Sequence, residues 1–259
     1  MKRKLVIVGG GIAGLSCAAR AAADFDVTVL EAEMQPGYHS SGRSAAVYIE
    51  AFMNPTIHAL SLESTRHFLD HGAKPVGDVT VADEAHAGEL DDFYDTWREL
   101  CPDLHEVDRQ RILEQVPILR PERVHRAMVD PNALSLDAHG LIDGYRRELN
   151  EGGGRIVNNA PVRSLERRDG GWRVGYGDGQ SIDADVLVNA AGAWGDEFAA
   201  MAGVQPLGLQ PMRRTALLLD LERDVSDWPL IHRIEGGLYF KPEAGLLMVS
   251  LADEHPSAP

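Results

Sequence analysis

Lys4-Leu5-Val6-Ile7-Val8-Gly9-Gly10-Gly11-Ile12-Ala13-Gly14 opens the chain and decides how the rest is read. Residues 4–8 are an apolar run suited to a strand buried on both faces. The next six fit G-x-G-x-x-G. Residues 15–23 are rich in alanine and read as a helix. Val27-Thr28-Val29-Leu30 reads as a second buried strand that ends on Glu31. Together these make a βαβ unit. Its glycines permit a tight turn, close approach of the backbone to a pyrophosphate, and close helix–strand packing. The helix N-terminus offers unpaired N–H groups and a positive dipole end to phosphates. Glu31 stands where a carboxylate can accept hydrogen bonds from ribose hydroxyls. The combination predicts a dinucleotide site rather than a glycine-rich structural turn.

Working outward, Tyr38-His39-Ser40-Ser41-Gly42-Arg43-Ser44-Ala45-Ala46 is small, polar and rich in Ser and Gly. It directly follows the ribose-binding strand, so it reads as a phosphate cradle of hydroxyls, backbone N–H groups and one arginine. His39 is expected to pack or hydrogen-bond within this loop rather than act as a base or a covalent attachment point. A second signal comes late. Asp185-Val186-Leu187-Val188-Asn189 is a buried strand, followed by the turn Ala190-Ala191-Gly192-Ala193-Trp194 and a helix over 195–202. Small residues let a ligand approach the backbone at the carboxyl edge of a sheet, the usual binding edge in α/β folds.

Between these signals, apolar spacing predicts helices over 56–71, 84–100 and 108–116, and a strand over 78–82. Asp91, Asp92 and Asp95 read as a solvated helix face rather than a metal site, since no supporting ligands accompany them. Asp137 is a good N-cap for a helix over 138–150. Hairpins are expected over 172–184 and 238–250. Residues 213–219 read as one strand, and alternation then points Arg213 and Arg214 to opposite faces.

Composition narrows the partners. The chain has 259 residues, is 44% hydrophobic and 25% charged, and carries a formal net charge of −15. Such a charge repels nucleic acid and anionic membrane surfaces, so neither is expected as a partner. No run approaches transmembrane length, and no stable membrane insertion is expected. The first residues imitate a signal peptide, but the glycine triplet belongs to the nucleotide loop and no clean cleavage site follows. Cys17 and Cys101 have no metal-ligand or C-x-x-C spacing, and Cys17 is expected to be a buried core thiol. A reducing cytoplasm is the expected compartment.

The ordered set of stretches resembles one family: residues 9–31, 35–46, the Asp130-Pro131 turn with the Asp137 helix, residues 188–194, and Leu209-Gln210-Pro211-Met212-Arg213-Arg214. It is similar to the FAD-dependent D-amino-acid oxidases and dehydrogenases, the glycine oxidase and sarcosine oxidase relatives, and most to their D-arginine dehydrogenase branch. The resemblance implies an α/β fold with a Rossmann-like FAD-binding domain over 1–77 and 137–211. A smaller mixed-sheet substrate domain, over 78–136 and 212–259, is interleaved with it. The cofactor implied is FAD. Its implied contacts are Gly9, Gly11, Ile12, Ala13, Gly14, Glu31, Ala32, Ser40, Ser41, Gly42, Arg43, Ser44, Ala45, Ala46, Val162, Ala191, Gly192 and Trp194. The catalytic residues carried over are Arg214, as the carboxylate-binding arginine, and Tyr239. No metal is implied.

The implied reaction oxidises the CH–NH2 group of a D-amino acid, or a related amino acid, to an imine. Val47 and Phe52 stand where the D-arginine branch has a histidine and a tyrosine, which points to a less basic substrate. The family continues beyond the equivalent of Pro259, so the chain is expected to be C-terminally truncated relative to it. Two other readings remain open at this point: a 2-hydroxy-acid oxidase on the same fold, and a non-catalytic FAD-binding fragment.

Overall fold

The computed structural model describes residues 1–259. The chain builds two compact units and passes between them repeatedly. One unit comprises residues 1–45, 137–211 and 257–259; the other comprises 46–136 and 212–256.

In chain order, the first unit opens with β1 (Arg3–Val8), α1 (Ile12–Ala21) and β2 (Phe25–Leu30). The second unit begins with β3 (Val47–Tyr48), α2 (Pro55–Asp70), β4 (Lys74–Pro75), β5 (Asp78–Ala82) and α3 (Ala87–Trp97). It continues through β6 (His105–Glu106), α4 (Arg109–Gln115), β7 (Arg126–Asp130) and β8 (Leu134–Ser135). The chain then re-enters the first unit with α5 (Ala138–Glu151), β9 (Arg155–Val157), β10 (Val162–Arg168), β11 (Gly171–Tyr176) and β12 (Gln180–Ala184). β13 (Val186–Asn189) and α6 (Gly195–Met201) complete that pass. The last pass, in the second unit, holds β14 (Met212–Arg213), β15 (Ala216–Leu219), β16 (Leu230–Arg233), β17 (Tyr239–Glu243), β18 (Leu246–Ser250) and β19 (His255–Pro256).

The first unit is a parallel sheet in the order β13-β1-β2-β9. Its central strands are apolar on both faces because both are covered: Val6, Ile7, Val27 and Val29 are at most 1% exposed. Gly14, Leu15 and Ala18 form the buried face of α1. Cys17 lies off that face and is exposed, contrary to the expected core thiol. The antiparallel sheet β10-β11-β12 joins the same core through Ala160, Val174 and Ala184, packed with Val6 and Leu30.

In the second unit, a seven-stranded mixed sheet runs β15-β18-β17-β16-β5-β7-β6. Strand alternation gives it two unlike faces. Val79, Val81, Ile231, Phe240 and Leu247 turn to one side and pack with Ile112 and Val116 around α4. The other side carries Asp78, Thr80, His232, Tyr239 and Lys241. At one end of that side, Leu90 and Trp97 of α3 cluster with Ala82, Met128 and Cys101.

Three expectations change here. Residues 46–77 belong to the second unit rather than the first, because β3 and β4 both pair with β8. Asn54 caps α2 between them, accepting N–H from Thr56 and Ile57. The strand expected over 213–219 is two strands: β14 pairs with β19, whereas β15 pairs with β18 at the edge of the large sheet. The helix expected over 84–100 opens as a 3-10 turn at Glu84–His86 and becomes α-helical only from Ala87. No helix is long and apolar enough to cross a membrane.

Candidate functional site

The carboxyl ends of β1, β2 and β13 open into a cavity of about 560 Å³ within the first unit. Its floor is the glycine turn. Gly9 sits at φ +105°, and a Cβ there would lie 2.4 Å from the Ala190 carbonyl oxygen. Gly14 is as constrained, since its Cβ would lie 1.9 Å from the Gly9 carbonyl oxygen. These two glycines bring α1, β1 and the turn after β13 together; any larger residue separates them. Gly11 lines the cavity itself.

Glu31 is 7% exposed at the end of β2. Its Oε2 accepts the Gly10 N–H at 2.7 Å, and its Oε1 accepts the Glu33 N–H at 2.9 Å. The polar loop folds back on the glycine turn: the Gly37 N–H donates to the Gly10 carbonyl at 3.0 Å, and the Gly42 N–H to the Gly37 carbonyl at 2.8 Å. Ser40–Arg43 forms a 3-10 turn. Ser41 Oγ accepts the Ile12 N–H at 3.0 Å, placing a hydroxyl on the N-terminus of α1. Such a terminus suits an anionic group.

The opposite wall is the turn after β13. Asn189 clamps it from both sides, donating through Nδ2 to the Gly195 carbonyl at 2.7 Å and accepting the Ala191 N–H at 3.2 Å. Gly192 has φ +55°. Asp196 in the first turn of α6 accepts N–H from Leu207, Gly208 and Leu209 at 2.9, 2.8 and 2.7 Å. The Leu207 N–H and its neighbours hold the Asp196 carboxyl below its ordinary pKa. α6 is thereby tied to the crossover that leaves the unit.

Of the implied cofactor contacts, Gly9, Gly11, Glu31, Ala32, Ser40, Ser41, Val162, Ala191, Gly192 and Trp194 line this cavity. Ile12, Ala13, Gly14, Gly42, Arg43, Ser44 and Ala45 do not line it, although Gly14 shapes it through Gly9. Ala46 falls in the second unit. Arg43 instead lies over the Tyr38 ring, 5.0 Å from its centroid. Sequence reading missed Glu33, Phe198 and Met201, all of which line the cavity, as does His39 of the expected cradle. The i, i+3 spacing of Phe198 and Met201 is the signal that could have found them. His39 does hydrogen-bond and pack: its Nε2 is 3.0 Å from Glu33 Oε1, and its ring meets the edge of Trp194 at 4.8 Å.

In the second unit, Tyr239 belongs to a row across the large sheet. Ala216 pairs with Ser250, Ser250 with Tyr239, Tyr239 with His232, His232 with Thr80, and Thr80 with Met128. Paired residues turn to the same face. His232 is held at both ring nitrogens, Nδ1 2.8 Å from Asp78 Oδ1 and Nε2 2.9 Å from Thr80 Oγ1. Lys241, on the same side, is fully buried against Glu243 and Ser135 Oγ. Arg214 lies between β14 and β15, with Nη2 2.6 Å from Glu254 Oε1 on an exposed surface. Burial pushes the Cys101 thiol up to about 12, with help from Glu50 and Asp130. Asp83, His86 and Glu235 bring ligand atoms within 4.8 Å of one another. Arg123, 3.3 Å from Asp83, and Arg233, in contact with Glu235, make the group an ion-pair network.

Known proteins are similar to this chain in sequence and in fold. The chain is 27% identical to the mitochondrial dimethylglycine dehydrogenase of Homo sapiens over 265 residues, which is 95% of this chain and 30% of that protein. It therefore spans under a third of that relative's length. The L-proline dehydrogenase of P. horikoshii superposes with a TM-score of 0.87 at 19% identity, over 100% of this chain and 72% of that one. The glycine oxidase of Geobacillus kaustophilus superposes with a TM-score of 0.83 at 20% identity, over 98% of this chain and 73% of that one. Residues 4–258 match the family described as FAD dependent oxidoreductase (DAO), and the chain belongs to it.

Proposed function

We propose that this chain carries out FAD-dependent oxidation of an amino acid at its CH–NH2 group, with a D-amino acid as the substrate. The observation that carries the reading is the cavity, whose glycine turn, Glu31, Ser41 and the turn after β13 converge on one dinucleotide-sized space. The names of the related proteins, which include dimethylglycine and sarcosine dehydrogenases, point to amino acids. Bound FAD supplies the hydride acceptor.

The chain's own residues have three tasks in this reading. The helix N-terminus and Ser41 hold the diphosphate, and Glu31 holds the adenosine ribose. Arg214 grips the substrate carboxylate by a two-pronged contact, after exchanging its Glu254 partner for the substrate. Tyr239 adds a hydroxyl to that grip. The substrate ammonium gives up a proton before the α-hydrogen leaves as hydride, and the resulting imine hydrolyses to a 2-oxo acid and ammonia.

The test is anaerobic addition of single candidates to the FAD-loaded chain, followed by flavin absorbance. The panel holds D-amino acids, glycine, sarcosine, dimethylglycine, L-proline and a 2-hydroxy acid. Bleaching by D-amino acids is the expected result. Bleaching only by the N-methylated amino acids or L-proline would replace the substrate assignment. Bleaching only by the hydroxy acid, or none, would overturn the reading.

A further inference from the structure

Strand alternation leaves one part of the large sheet's polar face open. In the row Ser250, Tyr239, His232, Thr80 and Met128, both ends are closed: Ser250 is 1%, Thr80 2% and Met128 3% exposed. Tyr239 and His232, between them, are half-buried. These two form a directly opposed antiparallel pair, so their side chains stand side by side, roughly 5 Å apart at Cβ. His232 engages both nitrogens within the plane of its ring, Nδ1 with Asp78 Oδ1 at 2.8 Å and Nε2 with Thr80 Oγ1 at 2.9 Å. Neither nitrogen is left for a ligand, yet the side chain is 29% exposed. What it offers outward is therefore the face of the ring. Asp78 is 3% exposed, so the ion pair turns its positive member toward solvent.

We propose that His232 is a specificity-determining residue: its ring face, beside Tyr239, seats an aromatic side chain of the amino-acid substrate and turns basic side chains away. The proposal rests on Tyr239 meeting the substrate. A cation against an aromatic face is attractive, whereas a basic side chain would meet like charge, the repulsive element that specificity needs. The charged and titratable groups around the ring are Asp78 from β5, Asp130 opposite it on β7, Glu50 beside Asp130, and Tyr239 and Lys241 from β17. Asp130 accepts N–H from Glu50 and Asn132. Glu50 accepts from Tyr48 and Asn132, and Lys241 is closed against Glu243 and Ser135. Each carboxylate already has partners, so none is offered to a basic side chain. Burial disfavours the charged ring, but the charge of Asp78 and its hydrogen bond outweigh burial and raise the His232 pKa.

The experiment measures calorimetric dissociation constants of two probes on the FAD-loaded chain and on its His232→Gln variant. The probes are phenylalanine and lysine stripped of their α-amino groups, which keep the carboxylate and side chain but cannot be oxidised. Measurements at about pH 6 and about pH 9 bracket the ordinary imidazole range. The wild type is expected to prefer the aromatic probe by about tenfold at the lower pH, and by less at the higher. His232→Gln, which keeps polar partners for Asp78 and Thr80, should show a smaller preference that does not change with pH. The kcat/KM ratio of D-phenylalanine to D-lysine should move in the same way. A lysine-derived probe that binds as well as the aromatic one at the lower pH overturns the proposal. So does a His232→Gln preference equal to the wild type's, or no binding of either probe. If His232→Gln does not fold, a wild-type preference that is the same at both pH values overturns it. Probe preference without flavin bleaching by any amino acid overturns the oxidation reading and supports the ring platform; bleaching without preference overturns the platform alone.

Discussion

Glu31 holds the glycine turn and the start of the following loop with the same carboxylate that is proposed to meet the ribose. Glu31→Ala should therefore weaken FAD binding and destabilise the chain together. Losing hydrogen bonds to a charged acceptor costs on the order of 1.5–3 kcal/mol, or roughly one to two decades in dissociation constant. Fluorescence titration reads the first effect and a thermal melt the second. Glu31→Gln keeps one acceptor oxygen and should lose less of both. An unchanged constant in Glu31→Ala would move the ribose contact elsewhere. The sequence made Glu31 legible because a buried strand fixes where its last side chain stands. It did not make the Glu33–His39 pair legible, because that contact depends on how residues 33–42 curl back on Gly10. Cys17 was misread for a related reason: small neighbours on a helix say little about which face is turned inward.

At the scale of elements, the stretch around Arg214 shows where pattern reading stops. An apolar run predicts one strand over 213–219, but the hydrogen-bond ladder changes partner within it. Asp253 accepts the Thr215 N–H at 2.6 Å, and Ser250 Oγ donates to the Thr215 carbonyl at 2.7 Å. This junction ends β14 and restarts the chain as β15, and no local sequence signal announces it. The parallel sheet, the hairpins and the Asp137-capped helix were legible because each follows from local spacing and a cap. The pairing of β3 and β4 with β8 was not, since two-residue strands leave no period to read. Arg213 and Arg214 are thus distinguished by ladder membership rather than strand parity: Arg213 is paired in β14 opposite His255, and Arg214 is outside the ladder. Arg214→Ala should lower kcat/KM by about 2–4 kcal/mol of transition-state binding, and Arg213→Ala by much less. Glu254→Gln should lower KM, because it removes the partner that Arg214 must leave. Equal effects of the two arginine substitutions would remove Arg214 from the substrate assignment.

At the scale of the whole molecule, the second unit is assembled from two stretches far apart in sequence, and β16 against β5 is the only parallel pairing in its large sheet. Asp78, Thr80 and His232 pin that junction. Burial disfavours the charged imidazole, but the charge of Asp78 and its hydrogen bond outweigh burial, and the His232 pKa stands above its ordinary value. The folded state therefore binds this proton more tightly than the unfolded chain does, where a histidine titrates near about 6.5. The stabilisation is fully present below that unfolded value and is lost as pH rises through the higher folded one. Thermal melts of wild type and His232→Gln, taken at about pH 6 and about pH 9 to bracket the ordinary imidazole range, separate this linkage from packing. The gap in Tm between the two proteins should be wide at the lower pH and narrow at the higher. A gap that stays constant would mean that His232 joins β16 to β5 by shape and neutral hydrogen bonds alone. A gap that widens at high pH would mean that the neutral imidazole is the form the folded sheet prefers.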